Sequence, residues 1–91
     1  MTKDILILHS KDNVATVLRE ILKDTDVEID KEGKKFTIKA NKNIPIYHKI
    51  AIEDLKEGES VIKYGEVIGI VKKDIKIGDH VHRKNIKSTF A

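Results

Sequence analysis

A six-residue turn occurs twice in this chain: Asp54-Leu55-Lys56-Glu57-Gly58-Glu59 returns as Asp74-Ile75-Lys76-Ile77-Gly78-Asp79. In each copy an apolar side chain can tuck under the turn, a glycine can take positive φ, and an acid leads into the next segment. Turns of this kind join short extended segments. Two copies predict pseudo-symmetric loops on a small β-rich body, and they are too few for a solenoid. The apolar residues agree. Hydrophobic content is 40% and aromatic content 4%, so the core is aliphatic. Isoleucine and valine dominate it, and both are stiff, strand-favouring residues.

At 91 residues the whole chain, 1–91, reads as a single domain. Residues 4–9 read as a short buried strand ending at His9. Ser10-Lys11-Asp12-Asn13 is a turn, and Asp12 or Asn13 can cap a following helix. Val14, Val17, Leu18, Ile21 and Leu22 then fall at helical spacing, which predicts one amphipathic helix over residues 13–23. The remainder alternates as strands. Val27-Glu28-Ile29 and Phe36-Thr37-Ile38 flank a turn at Gly33, a hairpin signal. Ile44-Pro45-Ile46 is extended because Pro45 disfavours helix before it. Short strands follow at residues 50–52, 60–63, 67–72 and 80–82, with residues 85–91 as a tail. The expected fold class is mainly β with one helix.

Composition excludes several classes. There is no cysteine, hence no disulfide, thiolate ligand or thiol nucleophile. No apolar run approaches the length of about 20 residues that spans a bilayer, and residues 5–8 are too short for a signal-peptide core. A cytoplasmic protein without membrane attachment is the expectation. Net charge is +3, from 18 Lys+Arg against 15 Asp+Glu. The lysines are interleaved with acids, only Arg19 and Arg83 are arginines, and stacking aromatics are scarce. Nucleic acid is therefore not an expected partner.

The residues able to carry chemistry are four histidines, His9, His48, His80 and His82, each at a strand end or turn. On a strand, His80 and His82 share a face, with Cα atoms roughly 6.5–7 Å apart. That spacing suits one metal ion, one carboxylate or one substrate. Lys49 and Lys63 can bind an acid as point charges, or be ordinary solvated lysines. Tyr64-Gly65 reads as a turn with a partly buried ring. Asp12-Asn13 is a cap first and an anion site second.

Four segments resemble one family in order along the chain. His9-Ser10-Lys11-Asp12-Asn13-Val14-Ala15, Ile44-Pro45-Ile46-Tyr47-His48-Lys49-Ile50-Ala51, Val61-Ile62-Lys63-Tyr64-Gly65 with Ile68-Gly69, and Gly78-Asp79-His80-Val81-His82-Arg83-Lys84-Asn85 are similar to motifs of the SAF domain of altronate dehydratase-type enzymes. Relatives of that family include galactarate dehydratase and the small subunit of sulfolactate sulfo-lyase. Two positions depart from the family pattern: Tyr47 stands where a glycine is usual, and Lys84 where a third histidine is.

The resemblance implies a SAF-type β-clip, a small barrel or sandwich. It implies the small subunit of a sugar-acid hydro-lyase, inactive alone and acting with a separate large catalytic subunit on a sugar acid. The alternatives are the small subunit of a carbon–sulfur lyase and a stand-alone ligand-binding module; self-association as a homo-oligomer is a further possibility. It implies a divalent metal, iron or manganese, bound mainly by the large subunit. His80, His82 and His48 are then the catalytic candidates. Lys49, Lys63, Asp12, Asn13 and Asn85 are the substrate-binding candidates, and His80, His82 and His9 the metal candidates.

Overall fold

A computed structural model describes residues 4–88. It contains nine strands, β1 (Ile5–Leu6), β2 (Val14–Val17), β3 (Asp26–Lys31), β4 (Lys34–Lys39), β5 (Lys49–Ala51), β6 (Ser60–Lys63), β7 (Glu66–Val71), β8 (His80–Val81) and β9 (Ile86–Ser88). They form three antiparallel sheets, ordered β1-β2-β5-β8, β3-β4 and β6-β7-β9, and none closes into a barrel. The architecture is β-rich, as expected.

The four-stranded sheet lies between two aliphatic clusters. Ala15, Val17, Ile50 and Ile52 face a cluster completed by Ile21, Val27, Ile29, Ile38 and Ile44. Val14 and Ala51 face the other, with Leu55, Val61, Val71, Ile75, Val81 and Ile86. Successive strand residues point to opposite faces, so a strand buried on both faces must be apolar throughout.

That corrects the helix expected over residues 13–23, of which none forms. Val14-Ala15-Thr16-Val17 is β2, paired to β1 and β5. The helical stripe was a coincidence of a two-sided strand followed by a buried turn residue, Ile21. Leu22, which a helix would have buried, is 56% exposed. The tail also needs correction, since β9 pairs with β7; the last three residues of the expected tail lie outside the described ones. Among the described residues no helix is long and apolar enough to cross a membrane.

The two hairpins form as local sequence dictates. Glu32-Gly33 and Tyr64-Gly65 both have positive φ at the two central positions, the type I′ turn that suits strand twist. The repeated turn is richer than its two sequence copies. Leu55 and Ile75 form a reciprocal bridge, and so do Ile21 and Ile44. Each of the four is followed, three residues later, by a residue in the left-handed region: Asp24, Tyr47, Gly58 and Gly78. Each turn is closed by the same bond: Thr25 N–H to Leu22 O, His48 to Pro45, Glu59 to Lys56 and Asp79 to Lys76. Four equivalent turns in two pairs build the body.

Candidate functional site

Two of the four turns launch the site. The turn at residues 44–49 delivers His48 and Lys49 to the start of β5, and the turn at 75–80 delivers His80 to the start of β8. Those strands pair, with Lys49 opposite Val81 and Ile50 opposite His80. His48 Nδ1 and His80 Nε2 are 3.0 Å apart, one donating and the other accepting. The His80 and His82 rings stack with centroids 4.5 Å apart, and His48 lies 5.1 Å from His80. Three of the four histidines form one continuous row.

Asn85 fixes that row. Its Oδ1 accepts from His82 N–H and its Nδ2 donates to His80 O, both at 2.9 Å. Both ends of the amide are thus engaged by backbone, which makes Asn85 a clamp on the histidine segment rather than a group free for substrate.

Strand alternation sends Lys49 to the face opposite His48 and His80, at the same corner of the sheet. There it sits across from Thr16 of β2. Thr16 Oγ1 and the Tyr64 hydroxyl are 3.1 Å apart, and Lys63 Nζ lies 5.0 Å from the Tyr64 ring centroid. Thr16 and Tyr64 were not singled out as site residues. A helix over residues 13–23 is incompatible with the cross-strand pairing of Thr16 with Lys49, which is the signal for Thr16; Tyr64 joins it only through the fold.

Charge at this corner is one-sided. His80 is pushed down to about 4, first by burial and then by His82, His48 and Lys49. Burial also lowers His82, followed by Lys84, His48, Lys42 and Arg83. Lys49 is lowered by burial and by Lys63. No carboxylate offsets these shifts, and the ion pairs among the described residues involve other lysines or Arg19. At neutral pH His80 is therefore an uncharged imidazole beside unpaired ammonium groups.

The other candidates lie elsewhere. The Asp12 carboxylate, fully buried, accepts from Leu8 and His9 N–H and, at 2.8 Å, from Gly65 N–H. Asn13 pairs through its side chain with Ser60 O and Ile62 N–H at the bulge in β6. Both are fully used in joining the first turn to the β6–β7 hairpin. His9 packs over Gly65, where an added Cβ would come within 2.7 Å of its ring. Neither hydrogen bond nor ring contact joins His9 to the other histidines.

The metal implied by the resemblance meets a poor donor set in this chain. Among the described residues no three His, Cys, Asp or Glu side chains are grouped to hold one ion. His80 Nε2 is engaged by His48, and His82 presents its ring face to His80. The arrangement does not by itself fit a resident metal.

Comparison with known proteins shows the family. A family model of the altronate/galactarate dehydratase SAF domain matches residues 3–89. The chain is similar to altronate dehydratase of Bacillus subtilis (strain 168), 35% identical over 98% of this chain and 17% of that protein. It is similar to altronate dehydratase of Escherichia coli (strain K12), 34% identical over 92% of this chain and 16% of that protein. It is also similar to (2R)-sulfolactate sulfo-lyase subunit alpha of Paracoccus pantotrophus, 42% identical over 66% of this chain and 90% of that subunit. The chain thus spans about one-sixth of the dehydratases it matches and nearly all of the Paracoccus pantotrophus subunit. With the family match covering almost its whole length, the chain belongs to the altronate/galactarate dehydratase SAF domain family.

Proposed function

We propose that this chain is the SAF portion of a sugar-acid hydro-lyase and works with a large catalytic partner. The observation that carries the reading is a sheet corner with the row His48–His80–His82 on one face and Lys49, near Lys63, on the other, an open and cationic corner suited to a hydroxy acid. The lysines and the Thr16 and Tyr64 hydroxyls bind the substrate carboxylate. Neutralising that carboxylate makes the α-hydrogen more acidic.

The histidines then move protons. A neutral His80 takes the α-proton, and its hydrogen bond to His48 lets a proton leave from that second ring to the β-hydroxyl. The α C–H and β C–O bonds break, water departs, and an enol remains that rearranges to the 2-keto acid. An imidazole with a pKa near 4 is a weak base. A bound anion raises the pKa of His80 from there, by its own charge and by offsetting Lys49, the smallest of the causes that lower it after burial, His82 and His48. The iron or manganese expected for the family is assigned to the large partner, and no step above is routed through it.

A second reading has its own support. The match to (2R)-sulfolactate sulfo-lyase subunit alpha of Paracoccus pantotrophus covers 90% of that subunit. Expelling sulfite in place of water uses the same α-proton transfer.

Co-expression with a large dehydratase subunit, followed by assays on altronate, galactarate and sulfolactate with iron or manganese, tests both. The hydro-lyase reading expects keto-acid formation that needs both chains, and a loss of at least about 100-fold in His80→Gln. Sulfite release from sulfolactate alone transfers the assignment to the second reading. A pair that forms, folds and acts on none of the three acids defeats both.

A further inference from the structure

The β3–β4 hairpin leaves part of one edge open. Its two-residue type I′ turn at Glu32-Gly33 makes Lys31 and Lys34 a hydrogen-bonded pair, and alternation makes Ile29 with Phe36 and Val27 with Ile38 the next ones. The bond from Ala40 N–H to Thr25 O continues the same phase. The backbone N–H and C=O groups of Lys35, Thr37 and Lys39 therefore point away from β3, and β4 pairs with no other strand among the described residues. At Lys39 the turn at 75–80 closes the edge, since the Gly78 backbone packs against Lys39 O and Gly78 O accepts from Asn41 N–H. Residues 34–37 are all exposed, and no hydrogen bond reaches the outward groups of Lys35 or Thr37.

The side chains beside this open stretch have a defined chemistry. Phe36 shares the inward face with Ile38 but is 38% exposed, and it borders a cavity of about 270 Å³ lined also by Ser10, Lys31, Glu32 and Lys34. Lys35 and Lys39 occupy the outward face. Lys34 and Lys35 make no ion pair among the described residues, and Lys39 Nζ is 3.8 Å from Asp26. The edge of β3 differs, because its inward apolar residues, Val27 and Ile29, are fully buried and leave nothing for a partner to cover.

An unpaired edge with an exposed aromatic ring alongside suits strand addition, in which main-chain bonds supply affinity and alternate side chains supply specificity. The lysines select the partner. Pairing β4 with the β4 of a second copy, centred on Thr37, sets Lys35 opposite Lys39, and like charges across a pair destabilise. An acidic strand gains where a like edge loses. β3 itself displays the fitting pattern: Asp26 lies across from Lys39, Asp30 from Lys35, and Ile29 from Phe36.

We infer that the open stretch of β4, residues 34–37, docks an extended segment of another protein in which acidic and apolar side chains alternate. The acids meet Lys35 on the outward face, and the apolar side chain covers Phe36 on the inward one. The β3–β4 sheet carries none of His48, His80 and His82, so this surface is separate from the histidine row.

The test titrates a capped Asp-Val-Glu-Ile-Asp peptide, the pattern of β3, into the full chain and follows its NMR signals. The Lys35 and Thr37 amides and the Phe36 ring should shift, and those two amides should gain protection from hydrogen exchange, while the rings of the histidine row stay still. A Lys-Val-Lys-Ile-Lys peptide should not bind. Lys35→Glu should weaken the acidic peptide about five-fold. Thr37→Pro, tolerated because that N–H faces outward from an edge strand, should abolish binding with the remaining spectrum unchanged. Equal binding of both peptides, shifts confined to other residues, or no shift at about 5 mM peptide overturns the inference. Shifts of Lys35 and Thr37 that follow protein concentration without peptide also overturn it, by giving the edge to a second copy.

Discussion

The two pairs of turns share one backbone and divide the labour. In the Leu55/Ile75 pair the left-handed residues are Gly58 and Gly78, and the next residue is an acid that caps its own turn. Glu59 Oε1 accepts from Lys56 N–H at 2.8 Å, and Asp79 Oδ2 from Lys76 N–H at 2.9 Å. In the Ile21/Ile44 pair the left-handed residues are Asp24 and Tyr47. The position equivalent to Glu59 and Asp79 is His48 in the second of these turns. His48 has no cap to make, because Pro45 occupies the place of Lys56 and Lys76 and carries no N–H. Removing the donor frees the position, and an imidazole can sit there facing His80. One pair is built for stability, and half of the other has been released for the site.

Substitutions at matching places sharpen this contrast. Gly78→Ala should cost most, about 3 kcal/mol or more, because its φ is +91° and an added Cβ would run into the Lys39 carbonyl oxygen. Gly58→Ala has nearly the same φ but nothing within 4 Å, so about 1 kcal/mol of backbone strain is expected. Urea denaturation of both variants separates clash from strain; equal losses would break the distinction.

Asp79→Ala should cost about 1–2 kcal/mol, since it removes the cap on Lys76 and the bond from Asn41 Nδ2 at 2.9 Å. The equivalent His48→Ala should change stability by no more than about 0.5 kcal/mol. A comparable loss in His48→Ala would mean that position 48 is structural after all. Tyr47→Gly should raise stability by about 0.5–1 kcal/mol, the left-handed strain of an exposed tyrosine less the entropy glycine adds to the unfolded chain. A fall in urea midpoint would show that the ring earns its place through contacts.

The contrast also has a pH dependence. His80 has a folded pKa of about 4 against an ordinary value of 6.5. Between those values the unfolded chain binds a proton that the folded chain refuses. This contribution is neutral above pH 6.5, turns unfavourable as pH falls, and is fully unfavourable below about 4. Stability should therefore drop faster in the native chain than in His80→Gln as pH falls from 6.5 to 4. Parallel curves would contradict the assignment.

Legibility in the sequence followed how local each signal was. The hairpins at Gly33 and Gly65 and the turns at Gly58 and Gly78 announce themselves by glycine. The equivalent turns at Asp24 and Tyr47 are harder to see, because aspartate tolerates a left-handed backbone without requiring it and tyrosine disfavours it; tertiary pairing imposes it. β2 was unreadable for a related reason. Burial on both faces erases the alternation that marks a strand, and Val14, Val17, Leu18, Ile21 and Leu22 then mimic a helix. At the site, the spacing of His80 and His82 showed which side chains could meet. The partnership with His48 depends on β5 pairing with β8, a contact 32 residues apart. Asp12 and Asn13 looked like ligands for the same reason they make good clamps: short polar side chains at a turn bind whatever N–H or carbonyl groups lie nearest.

The most direct test of the convergent corner is an NMR titration of the histidine ring protons in the full chain, repeated in Lys49→Met. The account predicts that His80 titrates at about 4 in the native chain and at a higher pH once the Lys49 charge is gone. A His80 midpoint near 6.5, unmoved by Lys49→Met, would contradict it.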